Sequence, residues 1–425
     1  MEPVSLPIHI PAVPDQRWSC HSCTRCCREL VGDLREADRR RLDEQQWERR
    51  LGVAPYVSVR HKWALNKRPD GRCVFLQDDG LCRIHAELGF DAKPFACRAY
   101  PFTLVEAQGK WWTAWRFDCP SMARANGADL TTYRRLVRSL SEEMPVRGES
   151  RKDGILLRRA RPAAPAEIHA LLDALNAWLL DGSRPLEESV AAAASLVDTL
   201  RLADLDRVRE DRFVELVKML VPDLPSALED VSRDPPTPRQ QGLFRQLVFA
   251  YTEHLTLEEI RSRRTRWMRR LQQLGWAGRF RRGHGRVPPV AGMKHDVTFE
   301  AVEAVRPANT DVAHIASMLG RFLRMRILSH YQFGPAYYGW PALDGLRALW
   351  LVVPVVGWLA RYLAAARHAD RFTFQDVLDG LALVDGAIGR SASLGTPGER
   401  LRLDYLSRSD GACRLVRYWG VSSSP

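Results

Sequence analysis

Eight of the nine cysteines in this 425-residue chain fall before residue 120: Cys20, Cys23, Cys26, Cys27, Cys73, Cys82, Cys97 and Cys119. That crowding constrains the fold more than any other feature. Thiolates are soft ligands for zinc and iron, and two residues between cysteines let one tight turn aim both sulfurs at a single ion. The rest of the chain holds one more, Cys413.

Eight thiolates suit two four-cysteine zinc sites, one or two iron-sulfur clusters, or one such site beside a redox-active pair, and spacing alone leaves these open. Adjacent side chains point apart in most backbone conformations, so Cys26 and Cys27 are expected to serve different sites, or one of them is not a ligand. His21 and His85 are the available imidazoles, although a lone histidine beside a cysteine is more often exposed than ligating. Arg98, next to Cys97, is placed to offset thiolate charge or to bind an anion. The opening residues, MEPVSLPIHIPAVPDQRW, lack the charged start and apolar run of a secretory signal. A reducing compartment is therefore expected, the cytoplasm by default, with thiols free for metal rather than paired as disulfides.

The chain is long enough for two or three domains with ordinary cores. Up to about Pro120 it reads as loops and hairpins, with turn signals at Pro69-Asp-Gly and Asp78-Asp-Gly and one helix expected near Arg35 to Trp47. Beyond Asn126, apolar residues recur at helical spacing: Ile168, Leu171, Leu172, Leu175 and Leu179; Phe213, Leu216, Val217 and Leu220; Ile315, Leu319, Phe322 and Ile327; and similar stripes from Leu243 to Tyr251 and from Val377 to Ile388. The expected fold class is α-rich. An irregular cysteine-rich metal-binding module over residues 1–125 precedes an all-helical domain over 126–425, with a sub-boundary near 283–295. No fixed-period repeat marks a solenoid. The longest apolar stretch, Ala348 to Ala360, is interrupted by Pro354 and followed by Arg361, short of the roughly 20 residues that cross a bilayer, so it reads as a buried core helix.

Net charge is +12, and arginine is spread along most of the chain, so basicity alone is weak evidence for nucleic acid. The densest basic segment, Arg261 to Arg286, holds ten arginines and no acid, interleaved with Trp267, Trp276 and Phe280. Its spacing favours an amphipathic helix with a solvated basic face over docking of an acidic protein or nucleotide, and nucleic acid ranks last. Trp111-Trp-Thr-Ala-Trp-Arg-Phe-Asp-Cys119 reads as strand packing before it reads as a pocket wall.

Taken together, Cys20-x2-Cys-x2-Cys-Cys, Cys73-Val-Phe-Leu, Cys82-Arg-Ile-His and Lys93-Pro-Phe-Ala-Cys-Arg-Ala-Tyr-Pro-Phe resemble the cysteine-cluster proteins described as zinc- or iron-chelating, a group that includes flagellin lysine-N-methylases. The resemblance covers about residues 18 to 120. It implies that all eight N-terminal cysteines form the metal-binding set, with Cys413 outside it. The chain length, the helical C-terminal half, and the segments Arg321-Phe-Leu-Arg-Met-Arg-Ile-Leu-Ser-His and Tyr337-Tyr-Gly-Trp resemble the methylase branch. That branch implies S-adenosylmethionine as cofactor and a protein substrate such as flagellin.

The residues themselves carry no standard signature for that cofactor. Val384-Asp-Gly-Ala-Ile-Gly-Arg reads as a helix with its glycine stop, not a glycine-rich cofactor loop. Cys20, Cys23 and Cys26 are spaced C-x2-C-x2-C rather than the C-x3-C-x2-C of radical enzymes. No Ser-His-Asp order or HExxH pair supports a hydrolase. The leading expectation is thus a metal-dependent protein, with iron-sulfur favoured over zinc because of the vicinal cysteines, that modifies a protein. The alternative is a metal or cluster carrier, or a redox sensor, whose helical half docks a partner. Catalytic residues and oligomeric state are not readable.

Overall fold

The computed structural model describes residues 6–29, 32–59, 62–145, 154–229, 233–253 and 263–421. Helices dominate, as the apolar spacing requires. The five stripes read from the sequence lie on the helices Pro165–Leu180, Asp211–Leu220, Pro238–Tyr251, Val312–Leu328 and Phe374–Ala387, whose apolar residues are largely buried.

Before residue 120 the chain forms two small sheets. Phe102–Ala107 and Lys110–Trp115 make an antiparallel hairpin, and Ile8–His9 joins its edge in parallel. Its two-residue loop, Gln108-Gly109, has positive φ at both positions (51° and 68°), the backbone that matches strand twist in a tight hairpin. Trp111, Trp112, Ala114 and Trp115 are buried, so the tryptophan run is indeed strand packing. The second sheet pairs Lys62–Leu65 with Asp33–Leu34 and Tyr56–Val59.

Three readings are corrected. The expected helix near Arg35 to Trp47 is two helices, Glu36–Glu44 and Trp47–Leu51, because Gln46 takes a left-handed φ of 55° between them. The half after residue 126 is not all helix: Leu156–Arg158 pairs with Arg161–Pro162, and Arg306–Pro307 with Arg371–Phe372. Pro354 does not break the apolar stretch, because it sits in the first turn of Val352–Ala365, where a missing amide proton costs no hydrogen bond. The break falls instead at Leu351, after Ala342–Trp350. Ala342–Ala365 is long and apolar enough to cross a membrane by length and composition, and 94% of that window is buried within the fold. Gly357 lets it pack tightly, since a Cβ there would meet the Trp419 carbonyl at 1.9 Å.

Two apolar cores result. The larger one extends from Val13 to Val421 and takes in Phe102, Ala114 and Trp115 of the hairpin together with the long helices. The smaller contains Leu34, Leu42, Trp47, Leu65, Cys73, Val74, Phe75, Leu76 and Ile84. Polar links join the first 125 residues to the helices: Arg25 pairs with Asp379 at 2.8 Å, Arg321 donates to the Ala123 carbonyl at 2.9 Å, and the Asp118 amide donates to Asp385 at 3.1 Å.

Candidate metal centre

Short helices carry most of the cysteines. Cys26 and Cys27 lie on Arg25–Glu29, Cys97 lies on Phe95–Ala99, and Cys82 and Cys119 cap the helices Arg83–Leu88 and Pro120–Ala123. Backbone contacts draw the segments together. The Cys73 amide donates to the Cys27 carbonyl at 2.8 Å, and Lys67 Nζ donates to the same carbonyl at 2.9 Å. All nine cysteines are free thiols.

The sulfurs fall into two neighbourhoods. Cys73 and Cys97 lie within electrostatic reach of each other and of both Cys27 and Cys82, and with Cys26 these four line one cavity. Cys20 and Cys23 are exposed, and buried Cys119 lies within reach of Cys23. Cys26 bridges the groups, within reach of Cys27, Cys97 and Cys20. The divergence expected for Cys26 and Cys27 is not observed: on one turn of helix their sulfurs are 3.9 Å apart. Their shared hydrogen bond keeps the proton on Cys26, whose pKa is raised by that bond and then by burial. Cys27 is lowered to about 6, first by the bond from Cys26 and then, against its burial, by Lys93 and Lys67. Burial raises Cys73 to about 11 and Cys97 to about 12. Cys413 is remote, its buried thiol donating to the Ala191 carbonyl at 3.3 Å.

This donor set suits a soft metal. Thiols are the ligand class, most face inward, and Lys67 and Lys93 stand by to offset thiolate charge. Among the described residues no three Cys, His, Asp or Glu side chains are grouped closely enough to hold a metal ion as they stand. Arg98, suggested as that counter-charge, is instead held by Glu143 in a two-pronged ion pair at 2.7 and 2.8 Å. His85 sits edge-on to Phe90, and His21 is exposed.

The cavity itself, about 1130 Å³, was not legible in the sequence. One wall is the cysteine-bearing segments. The other comes from distant helices and loops, among them Gln246, Glu253, Arg390 and Glu399. Tyr100 and Arg116 also line it. Arg116 belongs to the tryptophan-rich segment and Arg390 follows the glycine stop of Phe374–Ala387, so both lay in stretches already singled out for other reasons. The basic segment contributes too. Arg269, Arg270, Gln273, Leu274 and Ala277 on the helix Arg263–Arg282 reach the cavity, while residues 261–262 lie outside the described residues. The apolar side of this helix is not buried as an amphipathic reading requires: Trp267, Met268, Leu271 and Leu274 are all exposed, and only Phe280 near its end joins the core.

The family model described as "CxxCxxCC: Putative zinc- or iron-chelating domain" matches residues 19–120. No curated protein and no solved structure matches the chain. The matched span holds all eight clustered cysteines, and its segments build one wall of the cavity. Residues 19–120 are therefore similar to the zinc- or iron-chelating domains that this family model describes.

Proposed function

We propose that this protein is a metal-dependent modifier of proteins, a lysine N-methyltransferase that uses S-adenosylmethionine in the cavity beside its cysteine cluster. The observation that carries the reading is the cavity. At about 1130 Å³ it exceeds the roughly 300–1,000 Å³ of ordinary small-molecule sites, so it has room for a nucleoside-sized cofactor and an entering side chain. Five thiols line it, which couples whatever binds there to the metal-chelating domain. In this reading Cys27, Cys73, Cys82 and Cys97 hold one centre, with iron-sulfur favoured over zinc. Cys20, Cys23, Cys26 and Cys119 hold the second. When bound, the metal fixes the thiol-bearing segments as one wall and sets the electrostatic field of the cavity. The cytoplasm is the proposed compartment and a protein such as flagellin the proposed substrate.

A second reading, a metal or cluster carrier or redox sensor, draws on the exposure of Cys20 and Cys23, since solvent-facing thiols exchange metal and oxidise readily. One anaerobic preparation separates the two. Iron, sulfide and zinc are assayed on the same sample, and S-adenosylmethionine binding is measured by calorimetry. Matched iron and sulfide with saturable cofactor binding supports the methyltransferase. Labile metal with no cofactor binding overturns it in favour of the carrier.

A further inference from the structure

Seven lysine and arginine side chains line the cavity against four carboxylates among the described residues, and the imbalance is sharpest around Arg116 and Arg390. Both guanidinium groups turn to a single acid. Arg116 pairs with Asp118, and Arg390 Nη2 lies 3.7 Å from the same carboxylate, which also accepts a 3.0 Å hydrogen bond from the Tyr100 hydroxyl. The next carboxylate, Asp385, is already engaged by Arg326 and by the Asp118 amide, and gives Arg390 only its backbone carbonyl, at 3.0 Å. Arg116 Nε is buried with no hydrogen-bond partner, and among the described residues nothing engages Arg390 Nε or Nη1. Burial lowers the Arg390 pKa and the Arg116 charge lowers it further, a shift that Asp118 and Asp385 only partly oppose, whereas Arg116, against its own burial, is held charged by Asp118.

Two guanidiniums against one carboxylate leave one positive charge uncompensated, and the Arg390 side chain, 38% exposed, presents it where an entering anion can reach. A monoanion neutralises the group, whereas a phosphate monoester, at about −1.5 to −2, overshoots. Planar guanidinium edges also match a carboxylate with two parallel hydrogen bonds.

We propose that Arg116 and Arg390 form an anion-binding floor in the cavity that holds the carboxylate of its small-molecule ligand. Resting on the function proposed above, that carboxylate belongs to the methionyl end of S-adenosylmethionine.

The test uses the full chain as purified with its metal, with folding and metal content checked for each variant. Titration calorimetry compares S-adenosylmethionine with methylthioadenosine, which keeps adenosine and thioether but lacks the amino-acid end, and with AMP as the phosphate probe. Arg390→Gln weakens S-adenosylmethionine by about 10- to 100-fold, the loss of a charged hydrogen-bond pair, and leaves methylthioadenosine unchanged. Arg390→Lys recovers part of the loss. Equal S-adenosylmethionine affinity in wild type and Arg390→Gln overturns the floor while the methyltransferase reading stands, and so does tighter binding of AMP than of S-adenosylmethionine. Should the wild type bind no nucleoside, that reading falls, and the floor is judged by thermal denaturation in acetate against sodium chloride of matched ionic strength. An acetate-specific rise in wild type and in the exposed control Arg281→Gln, absent from Arg390→Gln, upholds it; equal behaviour of all three overturns it.

Discussion

The two walls of the cavity hold themselves up by different means. The cysteine wall rests on helices of five or six residues, far below the roughly 12–15 that make an isolated helix even marginal, and on a core of nine buried side chains, one of them Cys73. The helical wall rests on helices such as Val312–Leu328 and Val352–Ala365, packed into the larger core. One wall has little apolar burial of its own, so under the function proposed above bound metal would supply its missing cross-link. The other is held by its apolar core.

The largest expected effect follows from that contrast. Removing metal with a chelator under reducing conditions, or changing Cys73 to serine, should release the metal and open residues 26–99 to amide exchange, while residues 312–365 stay protected. Hydrogen exchange with mass spectrometry reads both regions at once. Equal loss of protection in the two would dissolve the distinction between the walls.

Next in size is a change in the helical wall, at a carboxylate that also accepts the Asp118 amide of the first 125 residues. Asp385 and Arg326 form a buried ion pair, both side chains almost wholly inaccessible, with Arg326 Nε and Nη1 lacking partners. Asp385→Asn leaves the Arg326 charge buried and unpaired, which should cost about 3–5 kcal/mol. Denaturant unfolding measures the loss. Metal content should be unchanged where the walls are independent, and metal loss in a folded variant would show that they are coupled through the Asp118 amide beside Cys119.

How much of this contrast was legible in the sequence differs between the walls as well. Helical spacing is a local signal, so the stripe from Ile168 to Leu179 announces its helix without knowledge of its neighbours. The cysteines announce a metal domain because their chemistry survives any fold. What stayed hidden depends on distant segments meeting. Nothing in the sequence says that Arg390 shares Asp118 with Arg116, or that Glu143 takes Arg98 away from the cysteines. The helix Arg263–Arg282 was readable as a helix, but its exposed apolar side was not, because spacing identifies a face without saying what covers it.

A smaller effect sharpens the picture of the helical wall through pH. Glu399 lines the cavity at 3% exposure; burial pushes its carboxyl from 4.5 up to about 7, against the opposing pull of Arg402. A folded pKa above the unfolded one means that the native state prefers the proton. Below about pH 4.5 neither state pays for ionisation. Between there and pH 7 the unfolded chain ionises first and stability falls, after which the loss is constant. At about 1.4 kcal/mol per unit the change is on the order of 3 kcal/mol. Glu399→Gln removes the titration, so wild type should lose about that much relative to the variant between pH 5 and pH 8 in urea unfolding. A difference that does not move with pH would mean that Arg402 fully compensates the buried carboxylate.

The smallest effect belongs to Cys413, a cysteine that lies in the helical wall's core and not in the metal domain. Burial raises its thiol to about 12, so it remains protonated and behaves as a small apolar side chain with one weak hydrogen bond to Ala191. Cys413→Ser exchanges sulfur for a smaller, more polar oxygen that can keep that bond, and the expected cost is about 1 kcal/mol. Metal stoichiometry and the protection of residues 26–99 should both match wild type. Because the substitution is the same as in Cys73→Ser, the pair isolates position from chemistry: the same atom lost from two walls should strip metal from one and leave the other nearly unchanged. Metal loss from Cys413→Ser alone would remove the grounds for assigning the ligands to the first 119 residues.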